Sequence, residues 1–255
     1  AQVFGPVSQG DVYRAARSRP RAIGIIDGYF ARMPAVWHKE ILWTLSEGIH
    51  VLGASSMGAL RAAELAAFGM VGVGRIFEAF HSGELEDDDE VTLIHGPEDA
   101  DYMPLSEALV DIRATVAHAT EQGILDSPTA KALIQRAKAT YYPERSYRGL
   151  ITALRGADAD TRERLDALEA WLPAHRVEQK RIDAEALVAE LRRLETEAVQ
   201  EKRVDFRFER TDAWVQVTRH HAPSAAPGGH LEEPTSSSLE AILDELRLLG
   251  GDELR

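Results

Sequence analysis

The sequence predicts an α/β fold, with a parallel sheet core and flanking helices, followed by a mainly helical C-terminal portion. Two short apolar runs near the amino end suit buried strands, and each is followed by a segment with apolar residues at helical spacing. Such strand–helix alternation predicts parallel pairing, because parallel strands need a crossover connection. With 255 residues, 44% of them hydrophobic, the chain is long enough for a sizeable core.

The first two strands and their helices are defined by local sequence. Residues 22–27 (AIGIID) and 50–54 (HVLGA) are apolar runs that end in turn-forming or small residues, which is typical of buried strands. A helix is predicted over 34–47, because proline suits a first helical turn and a glycine follows the end. The alanine-rich residues 57–68 are predicted to form the next helix, which another glycine ends.

The middle of the chain continues this alternation. Residues 72–82 are predicted to be helical, and VTLIHGP at 91–97 is the predicted third strand. Pro104 and Ser106 indicate the start of a helix that runs to about Glu121. Together these elements form the predicted α/β core.

Beyond this core the pattern becomes helical. Apolar residues recur at helical spacing over 128–141, 146–154, 159–172 and 176–200. Residues 203–217 alternate well enough for a hairpin, although their second half also suits a helix. We expect an α/β core (1–123), a helical subdomain packed on it (124–221), a flexible linker rich in Pro, Gly and Ser (222–237) and a C-terminal helix (238–255).

Composition excludes several functions. Lys and Arg number 29 against 42 Asp and Glu, giving a net charge of −13, which argues against nucleic acid or anionic lipid as the main partner. The absence of cysteine excludes a thiol nucleophile, a persulfide, a disulfide and a Cys-type zinc site. No apolar run approaches 18 residues and no signal peptide is recognised, so we expect a cytoplasmic protein without a membrane span. No metal and no cofactor is predicted.

The segment Gly53–Gly58 (GASSMG) lies where the second predicted strand turns into a helix, and it resembles a nucleophile elbow. Ser56 is the candidate nucleophile, because Gly58 follows two residues later, and Ser55 is a candidate contact for substrate or partner. The amides of Met57 and Gly58 begin a helix, where they favour negative charge. Two other interpretations stay open: a helix cap by either serine, or an anion site at these amides.

A nucleophilic serine needs a base, and two histidines are predicted at the same sheet edge. His95 ends the third predicted strand, and His38 lies early in a helix on a stripe that faces the sheet. Asp27 ends the first strand and either orients a histidine or caps the turn. The amides of Gly28 and Tyr29 are further oxyanion donors. The alternative for each histidine is a structural role.

Three other charged features attract attention. Arg61 and Glu64 lie three residues apart among apolar neighbours, so they form either a structural ion pair or a contact for a ligand or partner. Residues 84–90 carry six carboxylates in seven positions, which favours a solvated loop or a contact with a basic partner over a metal site. Lys180 lies on a predicted helix, where most lysines are exposed.

Several motifs together resemble the TfuA-like family. They are IGIIDGYF, PAVWHKEILW, GASSMGALRAAEL, FGMVGVGRIF, the EDDDEV run and PLSEALVDIRAT, in this order over roughly residues 20–120. The resemblance implies a role in thioamide formation with a YcaO-type enzyme, which activates the peptide amide. It also implies sulfur delivery from a ThiS-like carrier by hydrolysis of its thiocarboxylate, with the precursor peptide as an indirect partner.

Two functions follow from these observations, and a third is weaker. In the first, the serine attacks the carrier thiocarboxylate with His38 or His95 as the base. In the second, the protein is a non-catalytic partner that recruits the carrier or activates the YcaO-type enzyme. A phosphate or nucleotide binder is the third, and the lack of a phosphate-loop motif counts against it.

Overall fold

A computed structural model describes residues 2–30, 33–100, 102–197 and 200–220. At its centre lies a parallel sheet of β1 (Ala22–Ile25), β2 (His50–Ala54) and β3 (Val71–Val73), in that order, with β2 in the middle. Ile25 pairs with Gly53, and Gly53 pairs with Gly72. The predicted strands at 22–27 and 50–54 are thus confirmed.

Ten helices accompany the sheet in the described part of the chain. They are α1 (Asp11–Ala16), α2 (His38–Ser46), α3 (Met57–Leu65), α4 (Arg75–Ser82), α5 (Leu109–Glu121), α6 (Ser127–Ala139), α7 (Tyr147–Leu154), α8 (Ala159–His175), α9 (Gln179–Thr196) and α10 (Asp212–His220). The predicted α/β class with a helical C-terminal region is confirmed.

The side chains of each strand point alternately to the two faces of the sheet, and helices pack on both faces. Val51 of β2 faces α2 and α3, where it packs with Ile41 and Leu45. Leu52 and Ala54 face α9 and join a cluster with two of its leucines, Leu187 and Leu194. The carboxyl ends of the strands therefore open between α3 on one side and the start of α9 on the other.

The helices α5 to α8 form a separate apolar cluster beside the sheet. Its buried members include Leu109, Ile112, Leu133, Ile151 and Leu165. The linker predicted at 222–237 and the terminal helix predicted at 238–255 lie outside the described residues.

The predicted third strand at 91–97 is wrong, and β3 lies earlier, at 71–73. In the described structure His95 forms only an isolated antiparallel bridge with Pro104. The amide of Ile94 donates to Ser106 Oγ at 2.9 Å, and the amide of Leu105 donates to the Ile94 carbonyl at 2.7 Å. This apolar segment therefore satisfies its backbone within a local loop, and it does not join the sheet.

Several other boundaries differ from the predictions, among them the start of α5, which lies at Leu109 and not at Pro104 or Ser106. Helix α2 begins at His38, because Trp37 has extended backbone and Glu40 caps the helix start. The predicted helix at 72–82 begins as β3 and continues as α4. The hairpin predicted at 203–217 is wrong, because residues 203–211 form no strand in the described structure, although Phe206 packs on Phe68. The helical alternative for the second half is confirmed by α10.

Candidate functional site

The turn from β2 into α3 has the backbone of a tight elbow. Ser55 has φ of +70°, a left-handed conformation that is uncommon for a residue other than glycine, and Ser56 precedes the first residue of α3. A Cβ atom on Gly58 would lie 1.8 Å from the carbonyl oxygen of Ile25, and one on Gly53 would lie 2.0 Å from that of Gly58. Glycines therefore let the start of α3 lie directly against β1 and β2.

The two serines of the elbow occupy different environments. Ser56 is 0% exposed, and its hydroxyl has no hydrogen-bond partner among the described residues. Ser55 is 3% exposed and lines a cavity of about 400 Å³ at the carboxyl edge of the sheet. The hydroxyl with access to this cavity is thus that of Ser55.

The cavity brings together parts of the chain that are far apart in sequence. Its walls come from the segment after β1, the elbow, the loop before α5 and the start of α9. The lining includes Asp27, Ser55, His95, Tyr102, Glu107, Asp111, Arg176, Glu178, Lys180 and Arg181. Of the predicted catalytic residues, Asp27 and His95 share this cavity with Ser55, whereas His38 is not among its lining residues.

The ring of His95 is held by the backbone of the next residue, Gly96, and by two aromatic neighbours. Its Nδ1 atom lies 2.7 Å from the carbonyl oxygen of Gly96, and its centroid lies 6.2 Å from that of Tyr29 and 5.4 Å from that of Tyr102. Because a carbonyl can only accept, Nδ1 carries the hydrogen in the neutral ring. This leaves the lone pair on Nε2, as a general base requires.

Asp27 and Lys180 face each other across the cavity. Asp27 Oδ1 accepts a hydrogen bond from the Gly28 amide at 2.8 Å, so this carboxylate caps the turn after β1. Its Oδ2 lies 3.6 Å from Lys180 Nζ, and Lys180 Nζ donates to the Val91 carbonyl at 3.0 Å. Lys180 is only 9% exposed, so the expectation of an exposed lysine is wrong.

Three of the four amides predicted to hold an oxyanion already have acceptors. The Gly28 amide donates to Asp27, the Tyr29 amide donates to the Val7 carbonyl at 3.1 Å, and the Gly58 amide donates to the Ile26 carbonyl at 3.3 Å. The Met57 amide has no hydrogen-bond acceptor among the described residues. The backbone alone therefore supplies fewer oxyanion donors than the sequence suggests.

His38, Arg61 and Glu64 form a second group of contacts. His38 Nε2 and Arg61 Nη1 each lie 2.7 Å from Glu64 Oε2, and Arg61 Nε donates to the Val36 carbonyl at 3.0 Å. Although partial burial raises the pKa of Glu64, these two hydrogen bonds hold it below its ordinary value. The predicted orientation of His38 toward the sheet is wrong, since its side chain is 42% exposed at the first residue of α2.

Two half-buried carboxylates, Asp111 and Glu107, also line the cavity. Burial raises the pKa of Asp111 to about 6, although the Lys180 amide donates to its Oδ1 at 2.9 Å. Burial also raises the pKa of Glu107, and the ion pair with Arg176 opposes this shift. Asp111 therefore titrates nearer to neutral pH than an ordinary aspartate.

The acidic run at 84–90 is partly internal. Arg145, which is 1% exposed, pairs with the Asp89 carboxylate and donates to the Asp89 carbonyl at 2.7 Å. Glu90 accepts two hydrogen bonds from Arg113, each at 2.9 Å. Instead of forming only a solvated loop, the run anchors α5 and α6 to the core. Across the described residues no three His, Asp or Glu side chains are placed to share a metal ion.

Among the lining residues that the sequence did not predict as part of the site are Lys180 and Asp111. Lys180 follows Gln179, and both are buried together with Asp183 in the first turns of α9. Polar residues at positions that face the sheet indicate buried charge. These positions can be recognised only once α9 is known to cover the sheet. Asp111 carried no signal beyond its place in a predicted helix.

Comparison with known families is consistent with the motifs. The model of the family described as TfuA-like protein matches residues 27–146, which include the elbow, His95 and Asp111. A search of curated proteins found no match to the chain. Among the helices of the described residues, none has the length and apolar character to cross a membrane. Through residues 27–146 the chain belongs to the TfuA-like protein family.

Proposed function

We propose that this protein is an accessory protein for a YcaO-type enzyme in thioamide formation and that it releases sulfide from a thiocarboxylated ThiS-like carrier. Membership of the TfuA-like family is consistent with a YcaO-associated accessory role. The observation that carries the hydrolytic part is the elbow serine Ser55, which lines one cavity together with His95 and Asp27. Because the chain has no cysteine, sulfur cannot be carried on it as a persulfide.

We assign the nucleophile to Ser55 and not to Ser56. A nucleophile has to reach the carbonyl of its substrate, and the Ser56 hydroxyl is enclosed without a hydrogen-bond partner in the described structure. Ser55 has the strained backbone that presents a side chain at a strand-to-helix turn, as the nucleophile of an elbow does. The neighbouring Ser56 then serves the packing of the turn.

The reaction proceeds in two acyl-transfer steps. Ser55 Oγ attacks the thiocarboxylate carbon while His95 Nε2 takes the hydroxyl proton, and His95 then gives this proton to the sulfur. The C–S bond breaks, hydrosulfide leaves, and the carrier remains attached to Ser55 as an ester. Water attacks the ester with His95 again as base, which releases the carrier with a carboxylate and restores the serine.

A second candidate is a non-catalytic partner that recruits the carrier. Apolar side chains next to the cavity-lining Tyr102 and Pro104 support it, because Met103 and Leu105 are both exposed. Phe4, two residues before the cavity-lining Pro6, is exposed as well. Such a surface suits a protein partner whether or not this protein also hydrolyses the thiocarboxylate.

The test follows sulfide release from a thiocarboxylated ThiS-like carrier with purified variants. Ser55→Ala is expected to abolish release, His95→Asn to lower it at least about 100-fold, and Ser56→Ala to leave it within a few-fold. His38→Asn is the matched histidine control and is expected to behave like the unmodified chain. Equal rates for Ser55→Ala and the unmodified chain would rule out the serine mechanism, and carrier binding without any release would favour the recruiting role.

A further inference from the structure

We propose that the apolar rim of the cavity is a docking surface for the folded body of the thiocarboxylated carrier. This inference rests on the proposed function, in which that carrier is the substrate. The rim consists of an N-terminal rim (residues 3–6) and a loop rim (residues 102–106). Each of them carries two apolar side chains that are 58% exposed or more, namely Val3, Phe4, Met103 and Leu105.

The depth of Ser55 makes such a surface necessary. Ser55 is 3% exposed and lines a cavity of about 400 Å³. A cavity of this size holds a small molecule or a short peptide end, and a folded domain does not fit into it. A carrier with its thiocarboxylate at the C-terminus inserts that end, while its folded body stays outside. The body then rests on the residues around the mouth of the cavity.

The side chains of the loop rim alternate between the cavity and the outer surface. Tyr102, Pro104 and Ser106 line the cavity. Met103 and Leu105, which lie between them in sequence, do not line it and are exposed. The segment that forms one wall of the cavity therefore presents a pair of apolar side chains outward, beside the mouth.

The backbone of the loop rim is fixed where these two side chains project. The Gly96 amide donates to the Met103 carbonyl at 2.8 Å, and the Leu105 amide donates to the Ile94 carbonyl at 2.7 Å. Side chains on a fixed backbone lose less conformational entropy on binding than those on a mobile loop, so that more of the contact energy becomes affinity.

The N-terminal rim is joined to the loop rim. A Cβ atom on Gly5 would lie 3.1 Å from the hydroxyl oxygen of Tyr102, so the chain next to Phe4 lies against the loop rim. Val7 forms a parallel bridge with Gly28, which fixes the N-terminal segment to the turn after β1. The two parts thus form one apolar surface beside the mouth.

The chemistry of this surface favours a protein with an apolar patch next to its reactive end. The four exposed side chains are uncharged, in a chain of which 28% of the residues are charged. Phenylalanine and methionine are enriched in the buried centres of protein interfaces, and burial of such side chains against an apolar partner is favourable. The body of the carrier is the occupant that the inserted chain end brings to this position.

Calorimetry tests the docking separately from the chemistry, with a ThiS-like carrier in its carboxylate form. Met103→Glu and Leu105→Glu are each expected to raise the Kd at least about tenfold, because each places a charge in the apolar contact. Val71→Glu is the matched control, since Val71 is exposed at the amino end of β3, at the opposite edge of the sheet. It is expected to leave the Kd within about twofold, and thermal melting reports whether each variant folds.

Sulfide release gives a second measurement. Met103→Glu and Leu105→Glu are expected to raise the KM for the thiocarboxylated carrier at least about tenfold and to change kcat less than about threefold, because the lost contact is the same in the ground state and the transition state. A carrier without its last two residues is expected to bind the unmodified chain within about fivefold of the full carrier, and to lose this affinity with Leu105→Glu.

The outcomes separate this inference from the proposed function. Release that depends on Ser55, with KM and Kd unchanged in folded Met103→Glu and Leu105→Glu, overturns the docking surface and leaves the serine mechanism standing. Weaker carrier binding in these variants, without release by the unmodified chain, supports the docking surface and overturns the hydrolysis. A dimer of the unmodified chain that Leu105→Glu dissociates in ultracentrifugation assigns the rim to a second copy and overturns the proposal.

Discussion

The close contact at Gly58 leads to a test of the elbow. In Gly58→Ala the new methyl group would lie 1.8 Å from the carbonyl oxygen of Ile25, whereas ordinary contacts begin near 3.4 Å. The start of α3 therefore has to move by about 1.6 Å, because the atom it meets is backbone. Overpacking of this kind lowers the free energy of unfolding by up to about 3 kcal/mol. The better helix propensity of alanine raises it by about 1 kcal/mol.

We therefore expect Gly58→Ala to lose about 2 kcal/mol in its free energy of unfolding. This is measured by urea denaturation, with Gly156→Ala as the control, because a Cβ atom at Gly156 meets nothing within 4 Å. The same shift displaces Ser55, so sulfide release is expected to fall about 100-fold in the folded variant. Stability and release equal to those of Gly156→Ala would refute the argument from close approach.

Three further perturbations have distinct expected results. Arg145→Met leaves Asp89 without its buried partner and is expected to cost about 3 kcal/mol in thermal or urea unfolding. Asp111→Asn removes a carboxyl whose pKa is raised on folding, and such a group lowers the stability of the unmodified chain as the pH rises from about 4 to about 6. The stability of Asp111→Asn relative to the unmodified chain should therefore rise by about 2 kcal/mol over this range in urea unfolding. Glu64→Gln, at a half-exposed position, is expected to change stability by less than about 1 kcal/mol in the same assay.

Each of these predictions has a control. Arg148→Met removes an exposed arginine on α7 and should be nearly neutral where Arg145→Met is not. A constant difference between Asp111→Asn and the unmodified chain from pH 4 to pH 7 would contradict the raised pKa. A large loss of sulfide release in Glu64→Gln would show that the group around His38 takes part in the chemistry, contrary to the assignment of His95.

The elements that the sequence predicted well are those with local determinants. The strands β1 and β2 are short apolar runs bounded by glycine or polar residues, and each is recognisable without knowledge of its neighbours. The elbow is recognisable for the same reason, because its small residues are required by one turn of the chain. Gly58 in particular has a purely local signature, although its contact with Ile25 becomes visible only in the structure.

The elements that the sequence missed depend on distant contacts. Strand β3 has three residues, too few for a recognisable period, and it is stabilised by pairing with β2. The longer apolar segment at 91–97 was the better candidate by composition, but Ser106 and the residues before it satisfy its backbone. The alternation at 203–210 indicates one packed side, and Val204 and Phe206 do pack against the core, but the segment forms no strand in the described structure.

The same distinction between local and distant determinants applies to the candidate site. Asp27, His95 and the contact residue Ser55 were predicted from strand ends and turns, and they line one cavity, even though the strand assigned to His95 was wrong. Ser56, the predicted nucleophile, is not among the lining residues. Lys180 lies more than 120 residues from the elbow in sequence, so its approach depends on α9 returning across the sheet. The direction of the His38 side chain was wrong because α2 begins at His38 and not at residue 34, so that its ring lies at the exposed start of the helix and contacts Glu64.

The most direct measurement is the first turnover of a thiocarboxylated ThiS-like carrier, followed by sulfide release and intact mass. The proposed mechanism predicts a covalent ester between carrier and protein in the unmodified chain and in Ser56→Ala, with peptide mapping that assigns it to Ser55. It predicts neither ester nor sulfide with Ser55→Ala. An ester on Ser56, or sulfide released at the full rate by Ser55→Ala, would contradict the assignment.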